Sequence, residues 1–201
     1  MITSLEWLDK IDHKIFYLIN GTLTNPIFDL FFTTITNERL WTLPVLIGLL
    51  WLIIRGGKRE KIAAVLVLIA ASATDATVAQ IIKPAIGRLR PSHGLGDTIN
   101  LLVSKGGKYG FVSAHAANIF AATTVLSYFY KQWKMPLLFL AFSIAVSRVY
   151  VGVHYPGDVL FGGLFGYGMA WLVITLWVLL KMRELKRGRT WVRYSLSLIH
   201  I

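Results

Sequence analysis

Three short stretches of this chain bring together residue types suited to handling a phosphoryl group. The first holds Lys83 and, after six residues, Arg90-Pro91; the second is Ser113-Ala114-His115; the third is Ser147-Arg148, then His154, then Asp158 four residues on. A phosphate needs its charge compensated at several oxygens, and guanidinium groups do this with directional, paired hydrogen bonds. Lys83, Arg90 and Arg148 supply three positive charges with no metal or cofactor called for. Ser113-Ala114 precedes an apolar stretch, so free backbone N–H groups at a helix start there can also point at an anion. His154 is placed to attack phosphorus if another group holds its ring. Asp158, one helical turn further, can accept the other ring N–H and fix the tautomer. His115 is left to protonate the departing oxygen, a task that suits an imidazole at neutral pH.

The elements that carry these groups are apolar. The 201 residues are 55% hydrophobic and 15% charged, with mean hydropathy +0.60 and no Cys. A soluble domain carries about a quarter charged residues, so this composition points to an integral membrane protein and excludes disorder and a disulfide scaffold. Five apolar segments, at 40–54, 62–82, 112–130, 136–151 and 159–180, approach the roughly 20 residues a spanning helix requires. Before them, residues 4–19 predict an amphipathic helix. Leu5, Leu8, Ile11, Ile15 and Leu18 recur at helical spacing against Glu6, Asp9, Lys10 and Lys14. The expected fold is therefore an all-α membrane bundle of five or six transmembrane helices with an interfacial N-terminal helix, forming one domain over 1–201.

The net charge of +11 would suggest nucleic acid if the cations were scattered. They are not. Four basic residues lie in 55–61, two in 131–134 and six in 181–193, twelve of the 21 Lys and Arg, all on one predicted side of the bundle. The positive-inside rule makes that side cytoplasmic. The three phosphate-binding stretches then face outward, and no nucleic-acid partner is expected.

Taken together, Lys83-x6-Arg90-Pro91, Val112-Ser113-Ala114-His115 and Ser147-Arg148-x5-His154-x3-Asp158 resemble the three-part signature of the type-2 phosphatidic acid phosphatase superfamily. The resemblance covers about residues 60–180, with Val112 and Ala114 where the family usually has Pro and Gly. It implies a metal-independent lipid phosphatase without cofactor, a phosphohistidine on His154 assisted by Asp158, and His115 serving the leaving group. It also implies that Lys83, Arg90, Ser113, Ala114 and Arg148 bind phosphate. The substrate it implies is a membrane lipid, met at the outer face of a bacterial inner membrane. A small chain with short loops suits carrier recycling, so undecaprenyl diphosphate leads. A lipid A 1-phosphatase, a phosphatidylglycerophosphate phosphatase and a lipid phosphotransferase would carry the same motifs. A lipid-binding or transport protein would not require His115, His154 and Asp158 together.

Other polar residues receive plainer readings. Arg88 is expected to be a solvated charge, and Asp75, deep in an apolar segment, to be a structurally paired group. His93, Lys105 and Lys108 lie in the Gly-rich stretch 83–111, whose length and flexibility suggest a functional loop.

Overall fold

The computed structural model describes residues 3–194. These residues are helical with short connections: α1 (Thr3–Tyr17), α2 (Pro26–Ile35), α3 (Glu38–Ile54), α4 (Lys58–Thr77), α5 (Lys83–Ile86), α6 (Pro91–Gly94), α7 (Ala114–Phe129), α8 (Lys134–Tyr150) and α9 (Pro156–Lys186). Polar caps set several boundaries. Asn25 Oδ1 accepts from the N–H groups of Ile27 and Phe28 at the start of α2, with Pro26 in the first turn. Asn37 caps α3 in the same manner through Arg39 N.

The five apolar segments fall on α3, α4, α7, α8 and α9. Three stretches are long and apolar enough to cross a membrane, Lys58–Ile86, Lys131–Tyr150 and Pro156–Lys186; α2 and α3, bent by 45° at their junction, make a fourth if they form one span. The expectation of five or six spans is met to that extent. The shortfall has a physical reason. At 16 residues α7 is about 24 Å long, less than a hydrocarbon core of about 30 Å. It sits in the middle of the bundle, packed on α4, α8 and α9.

Small residues bring these helices together. Ala63, Ala70, Ala121 and Ala170 are fully buried among Val125, Ile174 and Trp177 at the junction of α4, α7 and α9. Gly162 and Gly166 press α9 onto the backbone of α7: a Cβ at Gly166 would lie within 2 Å of Ala117 O, at 1.9 Å, and one at Gly162 would lie 2.6 Å from Ser113 O. No side chain fits at either position without moving α7 away, which is the usual reason for small residues at such crossings. Large apolar side chains such as Phe139, Leu164, Leu172 and Leu176 stay exposed around the girth, as a lipid-facing surface requires.

The N-terminal helix forms over the residues expected, but its faces are used in reverse of a helix that merely floats. Asp12 is turned inward and Phe16 is fully buried against Val149 and Tyr155. Leu8, Ile11, Ile15 and Leu18 remain exposed; the Leu5 side chain lies outside the described residues. The chain then turns through Leu18–Thr22, where buried Asn20 donates to Asn100 O and Tyr150 O, both at 2.7 Å, and accepts from Asn100 N. One amide thus joins three segments at one end of the bundle.

Candidate active site

The loop containing Arg88 and Arg90 is folded back on itself rather than free. Arg90 N donates to Lys108 O, Gly110 N to Arg88 O, and Ser92 Oγ to Lys105 O. Two glycines permit the closeness. Gly106 has φ +68°, and a Cβ there would meet Arg90 Nη1 at 2.6 Å; a Cβ at Gly110 would lie 2.8 Å from Asp158 Oδ2. The flexible loop expected over 83–111 is instead a pinned wall of the site. His93 and Lys108 stay on its outer side, the first against Gly106 O and the second over the Tyr109 ring.

Ser113 caps α7. Its Oγ accepts from Ala116 N, and its own N–H donates to Asp158 O at 2.9 Å, tying the start of α7 to the first turn of α9. Ala114 is the first residue of α7. A right-handed helical position suits Ala as well as Gly, so the departure from the family pattern at this position leaves the turn undisturbed. His115 follows, with Nε2 2.5 Å from Glu38 Oε1 at the start of α3.

The third stretch spans the turn from α8 to α9. Arg148 lies in the last turn of α8, and Arg148 O accepts from both Val153 N and His154 N. Gly152, at φ +84°, makes that reversal beside Asn100 O. His154 is fully buried, and neither ring nitrogen has a hydrogen-bond partner among the described residues. Its Nδ1 is 3.4 Å from Asp158 Oδ2. Burial, then the charges of Arg90, Arg148, Lys83 and His115, hold the imidazole pKa well below its usual value, so the ring is neutral at pH 7. A neutral ring has a free lone pair, the form a nucleophile needs.

The arginines of the site fall into two kinds. Arg148 Nη1 donates to Thr36 Oγ1 at 2.7 Å and Arg90 Nε donates to Tyr109 O at 3.2 Å, so both are bound to neutral oxygens. Both are buried, and among the described residues no carboxylate reaches salt-bridge distance of either, or of Lys83. Taking an ion out of water costs several kcal/mol unless an opposite charge meets it, so this end of the bundle is built to receive an anion. Arg88 is the opposite case. Its guanidinium pairs with Asp158 at 3.0 Å, Asp12 at 2.7 Å and Asp9 at 3.3 Å, and stacks on the Tyr155 ring. Burial works against its charge, but Asp158, Asp12 and Asp9 outweigh that and raise its pKa.

The structure therefore gathers Lys83, Arg90, Ser113, His115, Arg148, His154 and Asp158 at one end of the bundle. Arg88 corrects the expectation of a solvated charge. Asp75 behaves as expected of a paired group, accepting from Asn118 Nδ2 at 3.0 Å. Sequence reasoning missed Asp12, Thr36 and Glu38, which reach the site from the N-terminal helices. No spacing rule points to them, since each meets its partner across more than seventy residues.

Comparison with known proteins identifies what the chain as a whole resembles. A profile of the PAP2 superfamily matches residues 62–182. A lipid A 4'-phosphatase of Bacteroides thetaiotaomicron is 31% identical over 84% of this chain and 77% of its own length. The crystal structure of Aquifex aeolicus LpxE is 28% identical, with TM-score 0.64, over 81% of this chain and 93% of that one. A transmembrane PAP2-type phosphatidylglycerolphosphate phosphatase from Bacillus subtilis shares the fold at 23% identity and TM-score 0.69, over 84% of this chain and 85% of that one.

Proposed function

The chain belongs to the PAP2 superfamily, as a multi-pass membrane phosphatase acting on lipid phosphate, and on that premise we propose that His154 is its nucleophile and a phosphorylated lipid A its substrate. The observation that carries the reading is the buried, neutral His154, whose two ring nitrogens have no hydrogen-bond partner among the described residues, under the charges of Lys83, Arg90 and Arg148. Asp158 stands beside Nδ1, which leaves Nε2 to form the N–P bond as the ester P–O bond breaks. The lipid oxygen takes its proton from His115. Water then attacks phosphorus and gives a proton back to His115; the N–P bond breaks, and inorganic phosphate leaves. Lys83, Arg90, Arg148 and the backbone N–H groups at Ser113 and Ala114 hold the phosphoryl oxygens throughout, where charge builds up in the transition state.

The likeness to a lipid A 4'-phosphatase along most of both chains moves a lipid A phosphate monoester ahead of undecaprenyl diphosphate. In this reading α3, α4, α8 and α9 cross the membrane and the short α7, enclosed by α4, α8 and α9 rather than by lipid, carries the chain through the middle as a fifth crossing, with the basic connections on the cytoplasmic side and the site at the outer face of a bacterial inner membrane. The site lies at helix ends, so a head group reaches it while the acyl chains stay in the bilayer.

Purified protein with EDTA, offered lipid A, undecaprenyl diphosphate, phosphatidylglycerophosphate and phosphatidic acid, tests the proposal. Phosphate release from lipid A, abolished by His154→Ala, is the expected result. Release retained in that variant would remove His154 from the chemistry. Preference for another lipid would keep the mechanism and discard the substrate.

A further inference from the structure

The PAP2 profile begins at residue 62, yet the Asp158 carboxylate is fixed in part from α1, through Arg88. Asp158 is completely buried. Its Oδ2 accepts from Tyr155 N at 3.0 Å and faces His154 Nδ1, while Oδ1 accepts from Arg88 Nη1 at 3.0 Å. The other arm of the guanidinium, Nη2, is held by Asp12 Oδ2 at 2.7 Å. Asp12 has a second attachment: its Oδ1 accepts from Gly157 N at 2.7 Å, an N–H of the first turn of α9. Gly157 leaves little room for anything larger, since a Cβ there would lie 3.0 Å from Asp12 Oδ2. The Arg88 plane rests on the Tyr155 ring at 4.3 Å, and His13 of α1 lies against the same ring.

We propose that Arg88 and Asp12 are positioning residues for Asp158, and that α1 is thereby a working part of the phosphatase rather than a membrane anchor alone. The logic is one of lone pairs. A carboxylate has two oxygens and can rotate between partners. Arg88 occupies Oδ1 in a directional, charge-assisted bond, so Oδ2 is the oxygen left toward the His154 ring. Asp12 stops Arg88 from swinging away and also fixes the α9 backbone that carries Asp158. Arg88 does not serve as a phosphate ligand, because three carboxylates already surround it, in contrast to Arg90 and Arg148. The inference rests on the assignment of His154 and Asp158 for the meaning of that alignment.

Two readouts separate this inference from the function it serves. In the first, Arg88→Gln, Asp12→Asn, Asp158→Asn and the double variant Arg88→Gln with Asp158→Asn are assayed on the lipid the native protein hydrolyses. Misplacing a group by about 1 Å can cost roughly 100-fold. Arg88→Gln is therefore expected to lower kcat about 10- to 100-fold and Asp12→Asn about 3- to 10-fold, with KM within about twofold. The double variant should be no slower than Asp158→Asn alone, since both act through one carboxylate. Arg88→Lys, which keeps one charged donor, should recover part of the loss. In the second readout, ring 15N resonances of His154, assigned with His154→Ala, are compared between native protein and Arg88→Gln in detergent. A shifted tautomer balance in the variant is expected, and this needs no turnover. A rise in KM at unchanged kcat would make Arg88 a head-group ligand and overturn the inference. So would additive losses in the double variant, or His154 resonances identical with and without Arg88. An inactive native protein whose His154 resonances still respond to Arg88 would overturn the proposed reaction and leave the positioning in place.

Discussion

Residues 62–182 and the N-terminal helices contribute to the site in chemically opposite ways. The first region supplies its cations and imidazoles: Lys83, Arg88, Arg90, His115, Arg148 and His154. The second supplies the oxygens that meet several of them, Asp12 at Arg88, Thr36 at Arg148 and Glu38 at His115. The difference teaches which charges are spent on the fold and which are left for a ligand. Arg88, the one arginine here ringed by carboxylates, is neutralised from within. Arg148 and Arg90, bonded to a hydroxyl and a carbonyl, keep a charge that no carboxylate among the described residues meets, and the proposed mechanism turns it toward an incoming phosphate. Pairing therefore distinguishes the arginines better than their positions along the chain.

The most severe break of that contrast is to remove an unspent cation. Arg148→Gln keeps a donor for Thr36 but discards the charge that phosphate would meet. A charge-assisted hydrogen bond in a buried site is worth about 1.5–3 kcal/mol, so kcat/KM on the lipid substrate should fall about 10- to 100-fold from that bond alone. The loss would be greater if the transition state draws more on the guanidinium than the bound substrate does. Arg148→Lys should recover little, because one ammonium cannot replace a two-pronged donor. Steady-state kinetics in detergent would measure both. Activity of Arg148→Gln within threefold of native would mean that this arginine, too, is occupied with the fold.

The legibility of the molecule in its sequence follows the same division. The groups assigned to the chemistry sit at short spacings, such as the four residues from His154, just before α9, to Asp158 in its first turn, which leave the two side chains 3.4 Å apart. Groups that balance charge do not. Asp12 pairs with Arg88 across 76 residues and Thr36 with Arg148 across 112, so only tertiary packing could reveal them. The five apolar segments were readable from composition and length. That α7 is a short central helix was not, since hydropathy measures burial without distinguishing lipid from protein. Gly162 and Gly166 have the four-residue spacing of a close helix crossing, but that spacing does not reveal that the opposing surface is the backbone of α7.

A milder break acts on the N-terminal side. Glu38→Gln leaves a side chain of the same shape 2.5 Å from His115 Nε2 but without charge. A carboxylate favours the protonated imidazole, the form that donates to a leaving group. Its loss should lower kcat by up to about fivefold, the range of an exposed or half-exposed charge interaction. Steady-state kinetics in detergent measures the loss. A kcat unchanged from native would separate Glu38 from the proton transfer and reduce it to a rim contact.

The smallest expected effect concerns stability, and its sign can be worked out from His154. Burial and then the surrounding cations depress the folded pKa far below the usual 6.5, while the unfolded chain binds a proton near that ordinary value. Above pH 6.5 neither state carries the proton and the full contribution is present. As pH falls below 6.5 the unfolded chain gains the proton and the fold does not, so stability drops with each further step. The deficit grows as pH falls from 6.5 toward 5 and shows as a lower thermal midpoint. Heating the detergent-solubilised protein at pH 8, 6.5 and 5 should give midpoints that decline only across the lower interval. His154→Gln, which cannot take up a proton in either state, should lose part of that decline while keeping the pH 8 midpoint close to native. A decline of equal slope in native and variant proteins would show that burial and the surrounding cations do not depress the His154 pKa, and it would weaken the contrast between spent and unspent charge at its centre.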